Sequence, residues 1–289
     1  MTSSVYPRPF WLLCAGSFFF FGSFNMVIPE LPSILSGMGG AEFKGLIISL
    51  FTLTAMLSRP FSGRLADTVG RVPVMIFGAL VCIICSVFYP FISTVSGFLL
   101  MRFFHGFSTG FSPTGFTAYV ADIVPANRRG EAMGLLSTFG TMGMAGSPAL
   151  GGWIQATWSV DVMFYASAAF AAVAVLFFLL VKETLSDRQS FRGSHLAVSR
   201  KDLYEPRVLV PCVVMFLTSF SFGTMLTVVP DLSDSLGLPN RGVVFMVFTL
   251  SSVAIRIIAG RLSDSFGRPR ILKFSTLLIA ISMAVTGMA

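Results

Sequence analysis

"FSGRLADTVGR", Phe61 to Arg71, places Arg64, Asp67 and Arg71 with two glycines between long apolar runs, and "IAGRLSDSFGR", Ile258 to Arg268, nearly repeats it. The echo extends outward. "KGLIISLFTLTAMLSRPFSGRLADTVGR" from Lys44 matches "RGVVFMVFTLSSVAIRIIAGRLSDSFGR" from Arg241 at a constant offset of 197 residues, sharing Phe-Thr-Leu at Phe51 and Phe248 and the arginines Arg59 and Arg256. Upstream, "VIPEL" at Val27 pairs with "VVPDL" at Val228, so Pro29 and Glu30 correspond to Pro230 and Asp231. One segment is used twice, about 200 residues apart.

What surrounds the repeat sets its solvent. The chain is 54% hydrophobic and only 11% charged over 289 residues, and a mean hydropathy of +0.82 is too high for a soluble domain of this size. A bilayer core about 30 Å thick needs roughly 20 apolar residues per helix. Nine such windows are present: Phe10–Pro29, Phe43–Ser62, Val74–Phe91, Phe98–Ala121, Ala132–Ala156, Val162–Val181, Val208–Pro230, Val243–Gly260 and Ile271–Ala289. None alternates apolar and polar residues as the strands of a membrane barrel do. The expected fold class is all-α, a polytopic membrane protein.

The net charge of +7 does not point to nucleic acid, because its placement has a simpler cause. Of the 20 basic residues, all but Lys44, Arg241 and Arg102 flank the first span or the even-numbered connections. By the positive-inside rule the N-terminus and those connections are cytoplasmic, in the plasma membrane. The first span is too long for a signal-peptide core and lacks a small-residue cleavage site, so it reads as a retained helix. Cys82 and Cys85 have redox-pair spacing but lie in an apolar window, which favours packing. His105 and His195 lie too far from other ligands in sequence to suggest a metal site, and no cofactor motif is present.

Two parallel six-helix halves joined by a long polar loop are an architecture of secondary transporters. "GRLADTVGR" and "GRLSDSFGR" resemble the Gly-x-Leu-x-Asp-x-x-Gly-Arg loop motif of the major facilitator superfamily, between helices two and three and between helices eight and nine. "RFFHGFSTG" from Arg102 resembles that family's helix-four motif, with His105 where Gln is usual. "ADIVPANRRGEAMG" from Ala121 resembles its exit from helix four. Gly143, Ser147, Pro148, Gly151 and Gly152 fall at the spacing of the helix-five motif associated with antiporters, with Ser147 in place of Gly. "PELP" at Pro29 resembles the end of helix one in drug-efflux members.

The resemblance implies an N-terminal half at residues 1–182, a cytoplasmic linker at 183–207 and a C-terminal half from 208 to 289 holding helices seven to nine. The sequence stops inside the ninth window, and three further helices are expected of a two-half transporter. The implied activity is alternating-access transport of a small molecule, expected as proton-coupled export. Uptake by the same kind of carrier and a non-transporting membrane fragment are the alternatives. Nothing resembles an enzyme's cluster of catalytic groups.

For the loop motif, two readings stand. Gly63, Arg64, Asp67, Gly70 and Arg71, their counterparts Gly260, Arg261, Asp264, Gly267 and Arg268, and Asp122 form either a cytoplasmic latch between the halves or a solvated turn that fixes topology. Arg102 lies one turn inside its span, where a charge calls for a partner or a cavity. Glu30 and Asp231 are the expected partners, one of them a candidate proton carrier; capping of helix ends is the competing reading. Asn25 is the only strongly polar side chain deep in the first span. The surrounding Phe18–Phe21 and Phe24, with Phe220, Phe222 and Met225, are expected to line a greasy cavity or to face lipid.

Overall fold

The computed structural model describes residues 6–196, 206–221 and 242–288. Among these residues every regular element is helical. The chain divides into two units, Met1–Ser199 and Arg200–Ala289, each taken separately below.

The first unit contains α1 (Arg8–Val27), α2 (Leu31–Gly37), α3 (Lys44–Thr68), α4 (Arg71–Phe88), α5 (Val95–Ile123), α6 (Arg129–Thr157) and α7 (Val160–Leu179). Local chemistry sets the boundaries. Pro7, in extended conformation, precedes α1, and the turn before α2 contains Pro29. Thr94 Oγ1 caps α5 by accepting the Gly97 N–H at 3.2 Å, and Ser159 Oγ does the same for α7 from Val162. Pro60, Pro113 and Pro148 lie inside α3, α5 and α6. In a soluble helix this would be costly, but here neighbouring helices support the break.

α1 packs between α6 and α7, α5 packs between α3 and α4, and α4 closes against α7. Small residues permit the close approaches. A Cβ on Gly143 would strike Phe18 O, one on Gly151 would strike Met26 O, and one on Gly106 would strike Phe51 O. Thus the buried side of the α6 stripe, Gly143, Ser147 and Gly151, is occupied by α1 inside this unit. Gly152 has nothing against it among the described residues.

Phe20 and Phe24 are core rather than cavity lining. Phe20 stacks edge-on to Phe116 at 5.6 Å and Phe24 meets Phe51 at 5.6 Å, and both are nearly inaccessible. Five stretches among the described residues are apolar and long enough to cross a membrane, including Arg8–Gly37 and Arg71–Phe91. α5 and α6, at 29 residues each, fall short of that mark although windows were expected there. Their glycines, serines and threonines lower the average because they face neighbouring helices.

In the second unit, α8 (Leu209–Ser221), α9 (Gly242–Phe266) and α10 (Arg268–Thr286) are described, and α9 contacts α10. Asp231, Phe222 and Met225 lie outside the described residues.

Candidate functional site

The repeated motif forms a helix–turn–helix. α3 runs through Gly63, Arg64 and Asp67 to Thr68; Gly70 takes φ 140°, which L side chains rarely adopt; and Arg71 begins α4. Gly63 is therefore helical rather than part of the turn, and a Cβ there meets nothing among the described residues.

Arg71 is the hub. Its guanidinium donates to Asp67 Oδ1 at 2.9 Å, to Asp122 Oδ2 at 3.1 Å and to the Ala66 carbonyl. Asp67 is 72% exposed, so its pair with Arg71 is worth about 0–1 kcal/mol and acts mainly as an orienting contact. Asp122, on α5, also accepts the Thr184 hydroxyl at 2.6 Å. Three helices and the segment after α7 thus meet at one arginine.

Sequence reasoning missed Glu183. Its carboxylate accepts the N–H groups of Arg71 (3.0 Å), Val72 (2.9 Å), Thr184 (2.9 Å) and Leu185 (3.0 Å). It therefore satisfies two orphan donors at the N-terminus of α4, where the helix dipole favours negative charge. The next residues continue the contact: Gln189 N donates to Thr68 O at 2.9 Å and Arg188 Nε to Val69 O at 3.3 Å. Phe191 and Leu196 close a cavity of about 420 Å³ against Leu65, Val74, Phe77 and Phe111. Residues 183–196 consequently pack on the first unit instead of forming a free linker. A signal was present in "VKET", an acid directly after an apolar span, but its target lies 111 residues away.

In the second unit the copy is drawn on the same backbone plan. Gly260, Arg261 and Asp264 fall in α9, Gly267 takes φ 87°, and Arg268 begins α10.

Arg102 is fully buried. Its Nε donates to Ile47 O at 3.0 Å and its guanidinium carbon lies 4.5 Å from the centre of the Phe51 ring. Among the described residues Nη1 and Nη2 have no hydrogen-bond partner. The expected pair with Glu30 is not formed: among the described residues no ion pair joins them, and Glu30 sits partly exposed at the start of α2. Asn25 turns back on its own helix, donating to Phe21 O at 2.8 Å.

Separate elements bring a thiol and a phenol to His105. Cys82 Sγ lies 3.1 Å from His105 Nε2, while Tyr89 Oη lies 3.5 Å from His105 Nδ1. His195, in the segment after α7, instead meets Gln189 Oε1 at 3.0 Å and the Arg192 N–H. Among the described residues no cluster of three metal-ligating side chains occurs. Outside the spans, burial and then the Glu131 carboxylate push the Tyr6 phenol up to about 12, so it stays neutral at the foot of α1.

A model of the Major Facilitator Superfamily matches residues 13–289. Multidrug resistance protein 2 of Bacillus subtilis is 28% identical over 283 residues, covering 94% of this chain and 71% of that protein. The multi-drug resistance efflux pump PmrA of Streptococcus pneumoniae is 30% identical over 274 residues, covering 89% and 67%. Two solved structures share the fold over 90% of this chain. They are the human organic anion transporter MFSD10, with TM-score 0.65 at 20% identity over 71% of its chain, and the proton:xylose symporter XylE, with 0.68 at 13% over 69%. A match that runs from residue 13 to residue 289, on an all-helical membrane fold, means that the chain belongs to the Major Facilitator Superfamily of secondary transporters.

Proposed function

We propose that this membrane protein exports small apolar or amphipathic molecules in exchange for protons, by alternating access. The observation that carries the reading is the run of relatives described as multidrug resistance proteins and efflux pumps, at 28–30% identity over most of this chain. The halves are assigned to residues 1–182 and 208–289, joined by the segment 183–207, with the N-terminus cytoplasmic because the basic residues concentrate on that side.

In this reading the cluster of Asp67, Arg71, Asp122 and Glu183 is the cytoplasmic latch. Arg71 holds three elements together through ion pairs exposed enough to exchange partners, while Glu183 keeps the turn itself in register. Gly260, Arg261, Asp264, Gly267 and Arg268 form the matching element of the other half. Arg102, fully buried and with two donor nitrogens unpaired among the described residues, takes an acidic partner at another stage of the cycle; Glu30 and Asp231 are the candidates. Gly143, Ser147, Pro148, Gly151 and Gly152 give α6 the close packing and bend that let the unit move as a body.

Ethidium, a lipophilic fluorescent cation, tests the reading. In proteoliposomes carrying the chain, an imposed pH gradient drives ethidium across the bilayer, and collapsing the gradient stops it. Ethidium movement unaffected by the gradient would remove proton coupling, and no movement of any lipophilic cation tried would remove export.

A further inference from the structure

Residues 188–196 are mostly polar, yet they carry two large apolar side chains that stay open. Phe191 is 60% and Leu196 44% exposed, although the segment is folded rather than frayed. The Gln189 N–H donates to Thr68 O at 2.9 Å and Arg188 Nε donates to Val69 O at 3.3 Å. His195 ties the loop to itself through Gln189 Oε1 at 3.0 Å and the Arg192 N–H at 3.3 Å. Phe191 and Leu196 thus form one wall of the cavity of about 420 Å³; Leu65, Val74, Phe77 and Phe111 supply much of the rest, and every lining side chain is apolar. Water there would find no hydrogen-bond partner among those side chains.

The cavity does not end at the turn. Phe77 also lines a second apolar groove, of about 520 Å³, which follows α4 past Val81 and Ile84 to Phe88. The rings of Phe77, Phe111 and Phe107 link the two, with successive centroids 4.5 and 6.4 Å apart. Pro73, in the cavity, and Phe88, in the groove, lie on one helix and are separated by about 22 Å at 1.5 Å per residue. That exceeds the depth of one leaflet's hydrocarbon, about 15 Å. A filler for such a groove comes from the bilayer rather than from solvent.

The mouth of the cavity is cationic. Arg188 bonds the carbonyl of Val69, itself a lining residue, and Arg192 adjoins Phe191. Both arginines are exposed, and Asp187 is the single carboxylate among residues 184–196. Among the described residues Arg188 hydrogen-bonds through Nε alone, so its terminal nitrogens remain as donors.

We propose that this is a binding site for one anionic phospholipid. An acyl chain lies in the cavity and runs on past Phe77, and Arg188 and Arg192 hold the phosphate by charge-assisted hydrogen bonds. Each arginine beside an anionic headgroup favours binding about fivefold. The pair therefore discriminates phosphatidylglycerol, with a net negative charge, from phosphatidylcholine, with none. The site needs no transport activity; only its assignment to the cytoplasmic leaflet rests on the orientation proposed above.

Photolabelling of the full chain in proteoliposomes tests the site. Phosphatidylglycerol and phosphatidylcholine carrying the same diazirine-bearing acyl chain are compared, and adducts are mapped by mass spectrometry. Adducts are expected to concentrate on Val69, Val74, Phe77, Phe191 and Leu196, at least tenfold more often from phosphatidylglycerol. The Arg188→Gln/Arg192→Gln variant removes that preference while leaving the phosphatidylcholine adducts unchanged. Sodium chloride at about 0.5 M weakens the preference in the parent protein by screening, an arm that stands should the double variant misfold. Phe191→Ser lowers labelling by both lipids at Val74 and Phe77 at least threefold. Equal labelling by the two lipids in the parent would overturn the headgroup assignment and leave an ordinary annular lipid. No adduct at Val74 or Phe77 from either lipid would overturn the site, the cavity being covered by protein, from this chain or a second copy. Selective labelling in a chain whose Ser190→Cys variant reacts from outside the cell with an impermeant thiol reagent would sink the orientation and sustain the site. Selective labelling in a protein that moves no ethidium would sustain the site and sink the export reading alone.

Discussion

The two copies of the glycine turn obey the same backbone rule but differ in what is built on it. Gly70 and Gly267 both take positive φ, at 140° and 87°, and both precede an arginine that starts a helix. A Cβ on Gly70 would collide with the Glu183 carboxylate, whereas a Cβ on Gly267 meets nothing within 4 Å among the described residues. The conformation is therefore a property of the repeated sequence. The carboxylate seated on the first turn comes from the segment that follows the sixth span.

The difference makes Gly70→Ala the most damaging substitution. It incurs positive-φ strain of about 1–3 kcal/mol and also displaces Glu183 from the α4 N-terminus. Gly267→Ala incurs strain of the same order, about 1–3 kcal/mol, without the displacement. Thermal unfolding followed by tryptophan fluorescence ranks the pair; equal losses would show that Glu183 contributes nothing to the turn.

Next in size is Glu183→Ala, expected to cost about 1.5–3 kcal/mol, the range for hydrogen bonds to a charged group. Glu183→Gln recovers part of this because the amide oxygen still accepts, though without the charge that complements the helix dipole. Were the two variants equally unstable, the negative charge at the α4 N-terminus rather than hydrogen-bond acceptance at the cap would be the source.

Asp67→Asn separates the latch from the solvated turn. With Asp67 so exposed, stability changes by no more than about 0.5 kcal/mol, yet ethidium turnover in proteoliposomes falls about tenfold, since each tenfold is only about 1.4 kcal/mol on a barrier. Turnover and folded yield declining together would leave the topology reading standing. Asp264→Asn gives the parallel measurement on the second copy.

The smallest expected effect is a gain. Gly63 sits within α3 with no described residue against it, so Gly63→Ala raises stability by about 0.5–1 kcal/mol through helix propensity. Destabilisation instead would place a close neighbour against Gly63 and set it beside Gly70 as a packing position.

Much of this protein is readable along the chain because the bilayer imposes one-dimensional rules. Apolar length sets the spans, basic residues set the expected sides, and the doubled Gly-x-Leu-x-Asp-x-x-Gly-Arg marks the turn and the family. Even the meeting of Asp67 with Arg71, four residues apart across the glycine turn, is expected from the motif, and Asp122 is a named candidate partner. Glu183 was not readable as a partner, because its contacts with Arg71 and Val72 cross more than a hundred residues and depend on how α7 ends beside α4. The α6 stripe announced close packing without naming α1 as the helix it receives.

By itself, the sequence determined that the chain is a duplicated, all-helical membrane protein with a glycine turn at each repeat, since hydropathy, charge bias and backbone sterics are local properties. Only the tertiary structure decided that Cys82 and Tyr89 flank His105, that Arg102 has Phe51 and a carbonyl for company rather than Glu30, and that Glu183 seats the first turn. Those outcomes depend on which faces of separate helices meet, and helix faces pair through volume and hydrogen-bond complementarity that no single stretch of sequence contains.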